Sequence, residues 1–215
     1  MGRPQPNAGF VSIDDYLAFE NSSPRRHEYV AGRVYTMMGT TARHNRIASN
    51  IHVRLRDSAR GGPCTGYIID LKVRAGRDRV YYPDGVVVCT PHVGDTLMFD
   101  DPCLIVEVTS RGTRRIDHGE KADAYLATPS LRGYLIAEHD RRRVTLYSRA
   151  NAGEWTRTEL LASGQLHLPC PESTITLDEI YEGVELPPLR VGEDLSDEEE
   201  DTWVDLLQTT SFGDE

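Results

Sequence analysis

Asp84 and Glu107 stand out because of what surrounds them. Asp84 sits in VYYPDGVVVC (Val80 to Cys89), and Glu107 in CLIVEVTS (Cys103 to Ser110). Each run is apolar and rich in β-branched residues, and an unpaired carboxylate is costly to bury in such a run. The cost is accounted for if both acids hold a divalent cation. Mg²⁺ is typically held by one or two carboxylates, with water and substrate phosphate oxygens completing its shell.

Side chains i and i+2 of a strand share a face. Ile105, Glu107 and Thr109 therefore point one way, and Leu104, Val106 and Val108 the other. Two simpler readings stand beside the metal reading. Pro83-Asp84-Gly85 is a turn tripeptide, and Glu107 would be an ordinary acid on an edge strand facing solvent.

The surrounding chain must supply elements that bring these acids together. Ser12 is a good N-cap, with Asp14 and Asp15 in the first turn of a helix through about Phe19. His27 to Met38 reads as a hairpin turning at Ala31-Gly32, with Glu28 in its first strand. Thr40 or Thr41 caps a helix to about Ala59, whose Ile47, Ile51 and Leu55 form one buried stripe. His44 lies one turn before that stripe, as a structural hydrogen-bonding group or a catalytic one. Strands are expected over Tyr67 to Val73, around Asp84 and around Glu107, with a loop from Thr90 to Pro102 between the last two. Thr113 could cap a helix through Ala127, where Asp117, Lys121 and Tyr125 share a face at spacing four. Taken alone, that face is a solvated ion pair beside a packed Tyr. A strand pair follows, Leu131 to Glu138 with Arg143 to Ser148. A hairpin over Glu154 to Leu168 and a short helix at Leu177 to Tyr181 close the fold before Pro187-Pro188.

Composition sets limits. A hydrophobic fraction of 39% in 215 residues suits one packed domain with an extension. No apolar run approaches the ~20 residues that span a bilayer, and the first residues lack the apolar segment of a secretory signal; a cytoplasmic protein is expected. Cys64, Cys89, Cys103 and Cys170 form no C-x-x-C pair, so neither a zinc site nor a disulfide framework is expected. The net charge of −10 argues against nucleic acid until its location is considered. Ten acids and no Lys or Arg fall between Val191 and Glu215; taking them from 34 leaves 24 acids against 24 Lys and Arg. Within the body, Arg111, Arg114, Arg115 and Arg141, Arg142, Arg143 cluster, either as ordinary solvated charges or as a surface for phosphate. Three segments are expected: a flexible arm over 1–11, a folded domain over 12–188, and an acidic, largely disordered tail over 189–215. In that tail Trp203, Leu206 and Leu207 are spaced as on a short helix capped by Ser196, which would dock on the protein's own basic face or on a partner.

HEYVAGRVY, His44, YPDGVVV, LIVEVTS and KADAY, in that order, resemble the PD-(D/E)XK nuclease superfamily, and within it the Uma-two family of restriction endonucleases. The resemblance implies an α/β fold: a restriction-endonuclease-like mixed central sheet flanked by helices, with extra N-terminal and C-terminal hairpins. It implies Mg²⁺-dependent hydrolysis of DNA phosphodiesters, with Mn²⁺ as a substitute. Asp84 and Glu107 would be the metal ligands, helped by the Val108 carbonyl. Glu28 would be a further ligand or would orient water. The superfamily places a Lys two residues after the second acid, where this chain has Thr109; Lys121, from the following helix, is the implied replacement. Many nucleases of this fold act as homodimers.

Other classes remain to be weighed. Thr109 favours a catalytically inactive nuclease-fold protein that binds nucleic acid or a partner. A two-carboxylate glycoside hydrolase is disfavoured, because no evident aromatic platform accompanies the acids.

Overall fold

Ser12 caps the first helix through its side chain, which accepts from the Asp15 amide, and the order of elements unfolds from there. In this computed structural model residues 10–68, 70–110, 112–150 and 153–186 are described. Helix α1 spans Ile13–Ser22, three residues beyond the expected end at Phe19. Strands β1 (His27–Val30) and β2 (Arg33–Thr36) form the expected hairpin, with Ala31 and Gly32 both at positive φ, as a tight two-residue turn requires. Helix α2 (Ala42–Ala59) starts at Thr41, whose hydroxyl accepts from the His44 amide.

Next come β3 (Thr65–Ile68), β4 (Lys72–Arg74), β5 (Arg79–Tyr81), β6 (Gly85–Val88), β7 (Met98–Phe99) and β8 (Leu104–Thr109). They are followed by α3 (Arg114–His118), α4 (Glu120–Leu126), β9 (Gly133–Glu138), β10 (Arg143–Ser148), β11 (Thr156–Leu161), β12 (Gln165–Pro169), β13 (Glu172–Thr176) and α5 (Leu177–Ile180). Helix α5 carries a full capping box between Thr176 and Glu179.

The strands form a six-stranded sheet, β11-β10-β9-β8-β6-β3, a five-stranded sheet, β2-β1-β5-β4-β7, and the pair β12-β13. In the six-stranded sheet β8 pairs antiparallel with β6 and parallel with β9. One face of this sheet packs Leu104, Val106 and Val108 against Ile47, Ile51 and Leu55 of α2, with Leu166, Ile175 and Ile180 from the C-terminal elements. The opposite face packs Ile105, Val86 and Ile136 against α4 and against Val73, Tyr81 and Phe99 of the five-stranded sheet. The mixed central sheet flanked by helices is therefore present, with the hairpin β1-β2 near one end of the chain and β12-β13 near the other.

Several local expectations are corrected. The strand expected over Tyr67 to Val73 is two strands in two sheets, separated by a positive-φ residue at Asp70. The strand around Asp84 is likewise divided: β5 ends at Tyr81, β6 begins at Gly85, and Asp84 lies in the link between the sheets. The loop after Thr90 contains β7. The expected helix through Ala127 breaks at Gly119, where a Cβ would lie 2.7 Å from the Arg115 carbonyl oxygen. The hairpin expected over Glu154 to Leu168 does not form. Instead β11 pairs with β10, and β12 pairs with β13 across a cis Cys170–Pro171 peptide.

The cysteines are the largest correction. Cys64 is bonded to Cys89, and Cys103 to Cys170. Cys64 and Cys89 stand opposite each other where β3 begins and β6 ends, one step beyond the Thr65–Val88 pair. Strand register, absent from sequence spacing, creates this proximity. The expected acidic tail, its helix and its cap at Ser196 lie outside the described residues, as do residues 1–9 and Arg111. Among the described residues no helix is long and apolar enough to cross a membrane.

Candidate active site

Glu107 projects from the centre of the six-stranded sheet, on the same face as Ile105 and Thr109, as alternation requires. That face is covered, so Glu107 is buried and must find partners. Lys121 supplies one: its Nζ lies 3.0 Å from Glu107 Oε1. The Tyr125 hydroxyl donates to the same oxygen at 3.2 Å. Both groups come from α4, which the break at Gly119 allows to sit over β8. Asp117, from α3, lies 3.6 Å from Lys121 Nζ, so the Asp117–Lys121–Tyr125 face survives the break.

Glu28 arrives from β1. Pairing of Tyr29 with Val80 sets β1 beside β5, just before the Tyr82-Pro83-Asp84 link. Glu28 Oε1 lies 3.0 Å from Lys121 Nζ and 3.5 Å from the Tyr82 amide, which donates to it. Asp84 is held from two sides. The Val108 amide donates to Oδ2 at 2.7 Å, and His44 Nε2 lies 2.8 Å from Oδ1. Its side chain is 24% exposed against 6% for Glu107. The cluster therefore opens toward solvent on the Asp84 side.

Four carboxylates and one ammonium occupy this corner. Burial, together with Asp117, Asp84 and Glu28, pushes the Glu107 carboxyl well above the usual carboxylate range, although Lys121 opposes the shift. Burial works against the charge on Lys121, but Glu107, Glu28 and Asp117 outweigh it and hold the ammonium well above its ordinary value. Lys121 is thus a fixed cation rather than a proton acceptor.

The donor set suits a hard divalent cation: carboxylate oxygens in excess of local positive charge, one of them partly open to solvent. At Val108 it is the amide that contacts the site, by fixing Asp84. Thr109 is fully buried, and its hydroxyl lies 3.1 Å from that of Thr113.

The structure brings Asp84, Glu107, Lys121 and Glu28 into one linked cluster. His44, open in sequence between structural and catalytic roles, joins it through Asp84. A second buried group was missed: Glu20 accepts from the Tyr82 hydroxyl at 2.8 Å and lies 2.8 Å from His27 Nδ1, backing the link that carries Asp84. The near-invisible signal was the i,i+7 spacing of Glu20 and His27 across a helix end. The clustered arginines are largely engaged internally. Arg114 and Arg141 lie 2.6 Å and 3.0 Å from Glu138 Oε2, Arg143 lies 2.7 Å from Glu159, and Arg142 pairs with Asp178.

The profile of the family described as "Uma2: Putative restriction endonuclease" matches residues 13–178. Two proteins of Synechocystis sp. are similar over most of the chain. Uncharacterized protein slr1290 is 31% identical over 183 residues, covering 83% of this chain and 96% of its own. Uncharacterized protein sll1609 is 26% identical over 155 residues, covering 70% and 88%. A crystal structure from Anabaena variabilis, described as a putative nuclease belonging to DUF820, superposes with a TM-score of 0.64. It has 14% identity and covers 80% of this chain and 97% of that one, which is a likeness of fold.

Proposed function

The chain belongs to the Uma2 family, and on that premise we propose that it is a Mg²⁺-dependent endonuclease hydrolysing phosphodiester bonds in DNA. The observation that carries this reading is the clustering of Asp84, Glu107 and Glu28 around the buried cation of Lys121, open to solvent at Asp84. Asp84 and Glu107 are assigned as the metal-holding pair. Mg²⁺ or Mn²⁺ would polarise a phosphoryl oxygen and lower the pKa of bound water.

The protein's own groups have separable tasks. His44 and the Val108 amide fix the orientation of the Asp84 carboxylate. Lys121 sets a positive charge where negative charge develops on the attacked phosphate, a task that the Thr109 side chain cannot perform. Glu28, on the other side of Lys121, holds the ammonium in place and is positioned to orient water. The Tyr125 hydroxyl shares Glu107 Oε1 with Lys121, which leaves the second carboxylate oxygen for the metal.

Plasmid cleavage tests the reading. Wild-type protein should nick or linearise DNA with Mg²⁺ or Mn²⁺ and not with EDTA. Asp84→Asn and Glu107→Gln should each abolish cleavage while keeping the native circular-dichroism spectrum. Metal-independent cleavage, or full activity in either variant, would refute it. A second reading, an inactive nuclease-fold binding protein, is favoured by Thr109 and by the internal pairing of Arg114, Arg141 and Arg143, which reduces the charge on offer to phosphate. It expects DNA or partner binding without cleavage. A cytoplasmic location, a homodimer, and docking of the acidic tail on the protein's own basic face or on a partner belong to the same proposal.

A further inference from the structure

Three of the four cysteine sulfurs meet at one point, and the fourth, on Cys103, is bonded to one of them. They come from four places in the fold: the start of β3, the end of β6, the residue before β8, and the residue after β12. Their sequence separations, 25 within one bonded pair and 67 within the other, give no local reason for the meeting. The two pairs are not independent. Cys89 Sγ lies 3.2 Å from Cys170 Sγ, and Cys64 Sγ lies 4.0 Å from it. Ligand atoms of Cys64, Cys89 and Cys170 all fall within 4.8 Å of one another, and Cys103 is bonded to Cys170.

Two disulfides alone do not need this arrangement; four thiolates around one ion do. A tetrahedral Zn²⁺ site has Zn–S of about 2.3 Å, which places neighbouring sulfurs roughly 3.8 Å apart. The contacts between the two pairs, 3.2 Å and 4.0 Å, already bracket that separation. Cys103 lies outside this group of three, and once its bond to Cys170 opens it must turn about χ1 to supply the fourth sulfur. Access and charge also fit. A cavity of about 410 Å³ opens beside Cys64, lined by Arg56, Ala59, Arg60, Thr65 and Gly66. Arg56 and Arg60 share one acid, Asp57, so this corner carries surplus positive charge beside a tetrathiolate centre of charge −2.

We propose that Cys64, Cys89, Cys103 and Cys170, when reduced, form a tetrathiolate site for a single Zn²⁺ ion that ties β3, β6, β8 and β12 together. The oxidised form is the pair of disulfides. Conversion to thiols breaks both S–S bonds and takes four electrons and four protons. Two equivalents of a dithiol reductant supply them and end as two disulfides. Binding of Zn²⁺ then releases the four thiol protons. The site is separate from the carboxylate cluster: soft sulfur selects Zn²⁺, whereas the oxygens of Asp84 and Glu107 suit Mg²⁺.

The test uses the full-length chain, reduced with a phosphine and titrated anaerobically with Co²⁺. The expected result is a sulfur-to-cobalt charge-transfer band with the intense visible bands of a tetrahedral ion, saturating at one Co²⁺ per chain and abolished by one equivalent of Zn²⁺. Asp84→Asn/Glu107→Gln should leave the band intact, and Cys64→Ser/Cys170→Ser should lose it. The wild-type titration decides even if the cysteine variant fails to fold. Absence of the charge-transfer band, or four thiols that react with a disulfide reagent equally fast with and without Zn²⁺, would overturn the proposal and leave two structural disulfides.

Discussion

Lys121 Nζ lies 3.0 Å from Glu107 Oε1, although the two residues come from separate elements and the ammonium is buried. The ion pair reaches across from α4 to the centre of the sheet. Breaking a buried pair by removing one partner leaves an uncompensated charge, at a cost of about 3–5 kcal/mol. Lys121→Met strands Glu107, Glu28 and Asp117 together, so a stability loss of that size is expected in chemical denaturation. In the proposed reaction the same change should lower cleavage roughly 10²–10³-fold, the scale for losing one electrostatic stabiliser. Cleavage within a few-fold of wild type would remove Lys121 from the mechanism.

Metal affinity should depend on pH, with a sign fixed by Glu107. Burial and the neighbouring acids raise its carboxyl above the usual range, so in the metal-free protein it holds a proton over part of the range in which an ordinary Glu is ionised. A bound cation must displace that proton. Mg²⁺ affinity should therefore rise with pH through the raised value and level off above it. Stability without metal runs the other way: the contribution of Glu107 is complete below the unfolded carboxylate pKa and is lost as pH rises through the raised folded one. Added Mg²⁺ should thus stabilise the protein most at the alkaline end. Calorimetry in two buffers of different ionisation enthalpy reads the proton release directly, and an affinity flat with pH would contradict the assignment of Glu107 as ligand.

His44 acts through Asp84, with Nε2 at 2.8 Å from Oδ1. Loss of an outer partner of a metal ligand commonly costs about 10–100-fold in metal affinity or activity. His44→Ala should weaken Mg²⁺ binding on that scale while the α2 cap, made by Thr41 to the His44 amide, persists. His44→Gln, which retains a polar tip, should recover part of the loss. Unchanged affinity in His44→Ala would return the residue to a purely structural role.

The parts of the site that were legible in sequence were those set by local periodicity. Alternation placed Leu104, Val106 and Val108 on the α2 side and Glu107 with Thr109 on the other. The spacing of Asp117, Lys121 and Tyr125 gathered them on one face, but only the family resemblance turned that face from solvent toward Glu107. What stayed hidden depends on pairing between distant strands. Nothing near Gln165 indicates that β12 prefers β13 to β11, and nothing near Cys64 indicates that register sets it against Cys89. The arginines, open in sequence between solvated charges and a phosphate surface, are in part paired internally, because Glu138 at the end of β9 faces Arg114 from α3 and Arg141 from the turn that follows. A run of like charge in sequence does not reveal the acid that folding places against it.

Gly119 offers a test of how finely the site is placed. It separates α3 from α4 at φ −112°, so the constraint on it is contact rather than a left-handed backbone. A Cβ there would stand 2.7 Å from the Arg115 carbonyl oxygen, a backbone atom that cannot swing aside. Gly119→Ala must therefore push α4 away from α3, and Lys121 is only two residues beyond the break. Overpacking of this kind costs about 1–3 kcal/mol. A displacement of the ammonium from Glu107 should reduce cleavage by more than the stability loss accounts for, at a temperature where the variant is still fully folded. Gly112→Ala is the matched control, since its Cβ would meet nothing nearer than the Ser110 hydroxyl at 3.9 Å. It should change stability by less than about 0.5 kcal/mol and leave cleavage alone. Equal behaviour of the two variants would show that the join between α3 and α4 does not set the position of Lys121.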